Sequence, residues 1–310
     1  AFASLAIYDA QTLSLTADIA GSFTLEVLKG TLMAMDERLM AVRPHPDQIN
    51  TAANIRAILK DSPMLERYRG HRVQDALSIR CMPQLHGPVK KAVKDAQATL
   101  AIELNSSVDN PLIFDEEDGG AVALMGCNAD GTYAGMASDN LCIAITDLCK
   151  MSNSRIDRLL NSLVSELPAF LNKNADFNNG LMMIQYASAG LQGELRILAH
   201  PAVVDNLTTC ANQEDYVNMG YNAAKKAYDS MHLAKYILAA ELICDGQALD
   251  CYEDKRCAKG TQAIYDLLRS KVPEMDNDMP LTPYLEAVAQ QIIDGAYIRT
   301  VEASVGALKF

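Results

Sequence analysis

Positive charge is the first thing this 310-residue chain is short of: 27 lysines and arginines stand against 39 aspartates and glutamates, a net charge of −12. A surface of that sign repels phosphate backbones and anionic lipid, so nucleic acid and membrane surfaces are excluded as partners, and small molecules or proteins remain. No C-x-x-C pair occurs among the eight cysteines. The five histidines (His45, His71, His86, His200, His232) show neither H-E-x-x-H nor Cys/His ligand spacing, so no metal site is expected. The scattered cysteines, with Cys142 and Cys149 on one face of an expected helix, read as buried and reduced, the state of a cytoplasmic protein. A secretory leader and a charge-free apolar run of about 20 residues are missing, which argues for a soluble chain. Low-complexity tracts and fixed-period repeats are missing too. The chain opens on Ala1 rather than Met, within a helical pattern, so the expectation is an internal boundary: a cleaved precursor, a fragment, or the second polypeptide of a split enzyme.

What is present is apolar residue at helical spacing, in a chain that is 49% hydrophobic and long enough for one large domain or two. The period predicts helix over residues 4–40, interrupted or bent at Gly21 or Gly30, and a stop at Arg43-Pro44-His45-Pro46. Short helices follow over 52–59 and from Pro63, a first helical position. Residues 89–104 make a longer helix. Residues 112–114 and 121–125 flank Asp115-Glu116-Glu117-Asp118-Gly119-Gly120 and read as a small hairpin with a solvated acidic tip. A long helix runs from about 136 to 163, then others over 180–198 and 215–249, the latter started by Asn212 and Asp215 at nearly capping-box spacing. The tail predicts helices over 261–268 and 284–299. The fold class is mostly α, a bundle of long antiparallel helices with one small β-hairpin. Residues 1–250 form its central region and 251–310 a helical region packed on it.

Chemistry concentrates in residues 73–87, V-Q-D-A-L-S-I-R-C-M-P-Q-L-H-G. Arg80 lies among Ile79, Cys81 and Met82, and a guanidinium carried into such a setting needs an anion, because an unpaired buried ion costs several kcal/mol. The partner is either a protein carboxylate, Asp75 or Glu103, or the carboxylate of a bound ligand. Glu194 is the second unusual charge, set among Leu191, Leu195, Ile197 and Leu198. Arg196, two residues on, does not face it, so Glu194 either looks at solvent or meets a distant cation. Gln74, Asn110 and Gln213 are amides, able to donate to a carboxylate and accept from an amine. Alone, Asn110 before Pro111 reads as a turn and Gln213 as a helix cap.

The order Gln74-Asp75, two residues, Ser78-Ile79-Arg80-Cys81, then Pro83-Gln84 and Gly87 resembles a signature of the histidine and phenylalanine ammonia-lyases. Four more stretches resemble that family in the same order: N-S-S-V-D-N-P-L-I-F at 105–114, S-E-L-P-A-F-L at 165–171, G-E-L-R-I-L-A-H-P at 193–201 and N-Q-E-D-Y-V-N-M-G at 212–220. The likeness covers roughly residues 1–250. It implies non-oxidative elimination of ammonia from an L-amino acid to give an unsaturated acid. Arg80 with Asn110 would hold the substrate carboxylate, Glu194 would lie beside the amino group, and Gln74 and Gln213 would complete the polar wall. It also implies a homotetramer in which several subunits build each site, and the long apolar helix faces support an oligomer.

The family's electrophile is a methylidene-imidazolone (MIO) formed autocatalytically from Ala-Ser-Gly. No Ala-Ser-Gly occurs here; Ala187-Ser188-Ala189-Gly190 and Ala303-Ser304-Val305-Gly306 do not fit. Residues 1–12 resemble a segment that follows the tripeptide, so the cofactor, and the tyrosine that removes the β-proton, are expected in an amino-terminal portion of the same enzyme. Two further positions depart from the family. Leu77 stands where it commonly has Tyr, and Asn128-Ala129-Asp130 where it commonly has Asn-Phe-His. That implies a substrate unlike that of a typical histidine ammonia-lyase, with Asp130 favouring a basic or hydrogen-bond-donating group, unless apolar neighbours fill the space beside Leu77 and Ala129. An aminomutase of the same family is an alternative, and a non-catalytic helical scaffold another. The Gly-Ser-Ser-x-Met-Pro loop of the fumarase and aspartase group is missing.

These 310 residues purified alone are expected to release no ammonia from any amino acid, because side chains that only hold substrate do not lower its barrier. An ammonia assay checks this: release above background contradicts it, and activity regained with the amino-terminal part supports it.

Overall fold

The computed structural model describes residues 1–174 and 177–310. In chain order its helices and strands are α1 (Phe2–Val27), α2 (Glu37–Ala41), α3 (Pro46–Ile58), α4 (Pro63–Arg67), α5 (Leu77–Arg80), α6 (Met82–Glu103), β1 (Leu112–Asp115), β2 (Ala121–Leu124), α7 (Thr132–Leu160), α8 (Ser162–Ser165), α9 (Met182–Leu198), α10 (Gly220–Asp250), α11 (Lys259–Arg269), α12 (Thr282–Ile293) and α13 (Ala296–Val305). The fold is mostly helical with one antiparallel hairpin, in which Leu112 faces Leu124 and Asp115 faces Ala121. Among the described residues no helix is long and apolar enough to cross a membrane.

Helix α1 organises the rest. Every residue from Leu13 to Val27 is buried, so it lacks the polar face of a surface helix and is surrounded on all sides. Helix α10 packs along both α1 and α7, α6 lies against α7 and α3, and α9 closes on α7 and α10. Helices α11 to α13 cover the ends of α1, α3 and α10. Gly21 does not break α1. A Cβ there would strike Sδ of Met82, the first residue of α6, so its missing side chain is what lets the two helices approach. The break falls just before Gly30: α1 ends at Val27, Lys29 turns left-handed with φ 57°, and the Gly30 N–H then donates back to the Leu25 carbonyl at 2.9 Å.

Helix α1 also carries charge into this interior, and the charge of Asp18 is answered by a buried cation. Asp18 accepts from His86 Nδ1 at 2.8 Å, Asn54 Nδ2 at 2.8 Å and Lys90 Nζ at 2.5 Å. Burial pushes its carboxyl up, yet Lys90 and then His86 outweigh that and hold it below the usual range. Arg155 of α7 and Glu241 of α10, both fully buried, meet as a two-armed pair, with Nη2 to Oε2 at 3.0 Å and Nε to Oε1. Next to Glu241 lies Asp245, whose carboxyl is raised well above its ordinary value by burial and then by Glu241. Thr24 Oγ lies 2.9 Å from Glu241 and 2.7 Å from Asp245. A hydroxyl has one hydrogen, so a protonated Asp245 donates to Thr24 while Thr24 donates to Glu241.

Several boundaries differ from expectation. Pro46 begins α3 rather than closing the previous region, because a proline at a first helical position loses no hydrogen bond. Asn212 and Asp215 do not start α10. Cys210, Ala211 and Asn212 take left-handed φ of 50°, 54° and 71° in a tight turn, and the helix begins at Gly220, whose N–H donates to Asn218 Oδ1 at 3.0 Å. The last expected helix is two, parted at Gly295 with φ 68°. Only Cys142, Cys149 and Cys244 of the cysteines are buried, whereas Cys127 and Cys210 are exposed in loops. Among the described residues all are free thiols.

The native state keeps the Asp245 proton to a pH at which the unfolded chain, near the ordinary value of about 3.9, has lost it. Its stabilising share is therefore full at acid pH and lost as pH rises through the raised value. Asp245→Asn retains a donor for Thr24 and removes that loss. Denaturant midpoints between about pH 5 and about pH 9 should fall less in the variant than in the parent; equal slopes would show that Asp245 is ionised throughout.

Candidate functional site

The arm from Tyr68 to Arg80 carries Gln74, Leu77 and Arg80, and polar contacts place it. Asp75 Oδ2 accepts from the Thr31 N–H at 2.8 Å, fixing one end beside the exit of α1. Burial raises the Asp75 carboxyl above its ordinary value, against the pull of Thr31 and then Arg72. Helix α5 is a single turn whose last carbonyls lack helical partners. Arg155 Nη1 donates to one of them, Ser78 O, at 3.2 Å, so the buried pair with Glu241 also anchors the turn that presents Arg80.

Arg80 is half-buried, and its Nε is buried without a hydrogen-bond partner. Among the described residues it makes no ion pair, so neither Asp75 nor Glu103 answers it. Gln74 and Leu77, on the same arm, are exposed, Leu77 at 61%.

The other candidates come from different elements. Asn110, joined to Pro111 by a cis peptide, accepts from the Gly126 N–H at 2.9 Å through Oδ1 and so ties the entry of β1 to the exit of β2. Glu194 is exposed on α9. Its neighbours Ser188, Gln192 and Leu195 are buried, Ser188 and Gln192 bonded to Asn153 Oδ1 at 2.8 Å and to the Thr146 carbonyl at 3.2 Å on α7, and this turns Glu194 outward. Of its two readings, facing solvent describes the single chain. Gln213 is exposed just after the left-handed turn at 210–212. Ala129 is exposed, whereas Asp130 accepts from the Thr132 N–H at 2.9 Å and from Asn218 Nδ2 at 3.0 Å, joining the starts of α7 and α10. Bonds from Thr132, with a further one from Asn218, hold its carboxyl below the usual range.

These eight residues do not line one cavity of the chain. A large opening, about 1,260 Å³ between α3, α6, α7 and α9, is walled by Gln84, Ile143 and Arg196, among others, and includes none of them. Six of the eight are exposed. Arg155 and Glu241, which anchor α5, and Glu166 were missed by sequence reasoning. Their only signal is a charged residue at a core position of a helix, or, for Glu166, a place in the S-E-L-P string.

The chain is thus a helical bundle that displays a guanidinium, a carboxylate and amides on separate elements. The chain belongs to the aromatic amino acid lyase family, whose model matches residues 1–270. It is 41% identical over 308 residues to histidine ammonia-lyase 2 of Fusobacterium nucleatum, covering 99% of this chain and 60% of that protein. The histidine ammonia-lyase of Trypanosoma cruzi superposes with a TM-score of 0.89 at 33% identity, over 98% of this chain and 58% of that one. For the tyrosine aminomutase of Streptomyces globisporus the TM-score is 0.92 at 28% identity, over 99% and 62%. The chain thus spans about 60% of the length of the curated relatives it matches.

Asp130→Ala is expected to lower stability by about 1 kcal/mol, the cost of a lost helix-start bond, in a denaturant titration. Unchanged stability would mean that the two bonds it accepts do not hold the helix starts.

Proposed function

We infer that these residues form the substrate-gripping part of an ammonia-lyase that eliminates ammonia from an L-amino acid to leave an α,β-unsaturated acid. The observation that carries this is Arg80: a charge with its Nε buried and unpartnered, on a turn pinned at Asp75 and at Ser78. Such a group is expensive without an anion, and a substrate carboxylate accepting from the planar fork supplies one. Asn110, whose amide nitrogen stays available, donates to the same carboxylate. Glu194 faces the substrate ammonium, and Gln74 and Gln213 orient the remaining polar edge. Leu77 and Ala129 border the side-chain pocket. Asp130 brings a carboxylate there whose second lone pairs are still open.

When bound, the family's MIO group supplies the electrophile that turns the amine into a leaving group. These 310 residues lack Ala-Ser-Gly, so the chain's exposed polar groups fit the substrate side only, and the electrophile and general base come from the amino-terminal portion. The exposure of Gln74, Asn110, Glu194 and Gln213 supports a site closed by neighbouring subunits, as does the exposed apolar surface at Tyr133, Met136, Val204 and Tyr221. We take the assembly to be a cytoplasmic homotetramer. The close fit to an aminomutase supports a second reading, in which the amine returns to the neighbouring carbon. Chromatography of the products distinguishes the two, since only the mutase accumulates a β-amino acid.

In the complete enzyme Arg80→Lys is expected to cut kcat/KM by roughly 10- to 100-fold, the worth of one charge-assisted bond and its geometry. Steady-state kinetics at constant ionic strength check it. A panel of L-histidine, L-phenylalanine and L-tyrosine should show no clear preference for histidine. A strong histidine preference, indifferent to Leu77→Tyr and Ala129→Phe, would rule out a pocket altered at those positions.

A further inference from the structure

Between Leu65 and Asp75 no residue is buried, and Val73 is 95% exposed. Residues 68–70 and 72 instead form one wall of a cavity of about 660 Å³, whose opposite wall is Lys29 to Met33 after α1. Tyr68 is the last side chain here that packs on the core, beside Tyr252, so beyond it apolar packing does little to fix the arm, and a segment with few buried contacts opens easily. One side chain replaces that packing. Glu166, just past α8, accepts from Lys29 Nζ at 2.8 Å, from His71 Nε2 at 3.0 Å and from Arg72 Nη2 at 3.2 Å. Arg72 Nη2 also donates to the Val164 carbonyl at 3.4 Å, and Lys29 lies 5.2 Å from the centre of the Tyr68 ring. The Glu166 carboxyl is drawn down to about 2, by Lys29 first and His71 next.

The backbone at Glu166 is left-handed, φ 60° and ψ 22°, a conformation that an L-residue adopts at a cost and glycine at none. A carboxylate placed where glycine fits better gathers two cations, Lys29 and Arg72, and the His71 ring from two segments, so its side chain has work that glycine could not do. We propose that Glu166 is a positioning residue for the substrate-binding arm: by clamping His71 and Arg72 against Lys29 it fixes the reach of Gln74, two residues beyond, and the approach of Arg80. This rests on Arg80 binding the substrate carboxylate, as argued above.

The test uses the complete enzyme and the amino acid best turned over among L-histidine, L-phenylalanine and L-tyrosine. Glu166→Gln keeps the backbone conformation and removes the charge; Glu166→Gly removes the charge and relieves the backbone, so it remains foldable if the amide variant is not. Both are expected to raise KM about tenfold, with kcat changed less, since a loosened arm weakens the grip before it alters the chemistry. Salt at about 1 M, where the Debye length is about 3 Å, should raise the parent's KM by a larger factor than that of the variants, which keep only the salt sensitivity of the Arg80 contact. Thermal unfolding of Glu166→Gly should match or exceed the parent's, which a purely stabilising cluster would not allow. If Arg80→Lys raises KM while both Glu166 variants keep the parent's value, the clamp is overturned and the site reading stands. If neither residue matters to KM, the site reading has failed and the clamp falls with it.

Discussion

The pairing of Arg155 with Glu241 is the constraint on which this structure turns. It joins α7 to α10, the most extensive helix pairing of the bundle, at a point where both side chains are fully buried. Such a pair gains little over an apolar contact of equal volume, but once present it cannot lose a member, because the survivor would be an ion without solvent. Its groups also extend the reach. Glu241 draws in Thr24 of α1 and Ser152 of α7, while Arg155 spends a third donor on Ser78. The position of α5, and with it Arg80, is in this way referred to the deepest part of the core instead of to the surface on which it lies.

Much of the architecture was legible because long helices announce themselves by period. The hairpin, Pro63 at its helix start and the α7 and α9 runs all rest on local chemistry that no tertiary contact overrides. What was not legible depended on backbone conformation. The left-handed turn at 210–212 contains Cys, Ala and Asn rather than Gly, so nothing in its composition marks a break, and the polar residues around it mimic a cap. Gly21 misled in the opposite sense: its purpose is proximity, and a glycine serving proximity looks in sequence like one serving flexibility.

The candidate site was legible in part. Arg80 was conspicuous as a charge among apolar residues, and among the described residues its Nε lacks a partner. Glu194 was conspicuous for the same reason, but the sequence left open whether it faces solvent, and in the single chain it does. The carboxylate of Asp130 could not be read, because its partner Asn218 lies 88 residues away and only the fold brings the two helix starts together. The same holds for the clamp on the arm, where Lys29, His71 and Glu166 belong to three distant stretches.

Gly21 has one more consequence. The space above it is shared: on one side lies the Met82 sulfur and on the other, 3.5 Å from where a Cβ would sit, the Arg155 guanidinium carbon. Met82 opens α6, the helix that carries His86 and Lys90 to Asp18, while Arg155 heads the separate cluster with Glu241. Two electrostatic systems with no hydrogen bond in common thus meet at an atom that does not exist. A single added methyl would collide with the Met82 sulfur while meeting the Arg155 guanidinium only in ordinary contact, so it would press first on the helix that carries His86 and Lys90 and leave the Arg155 cluster in place.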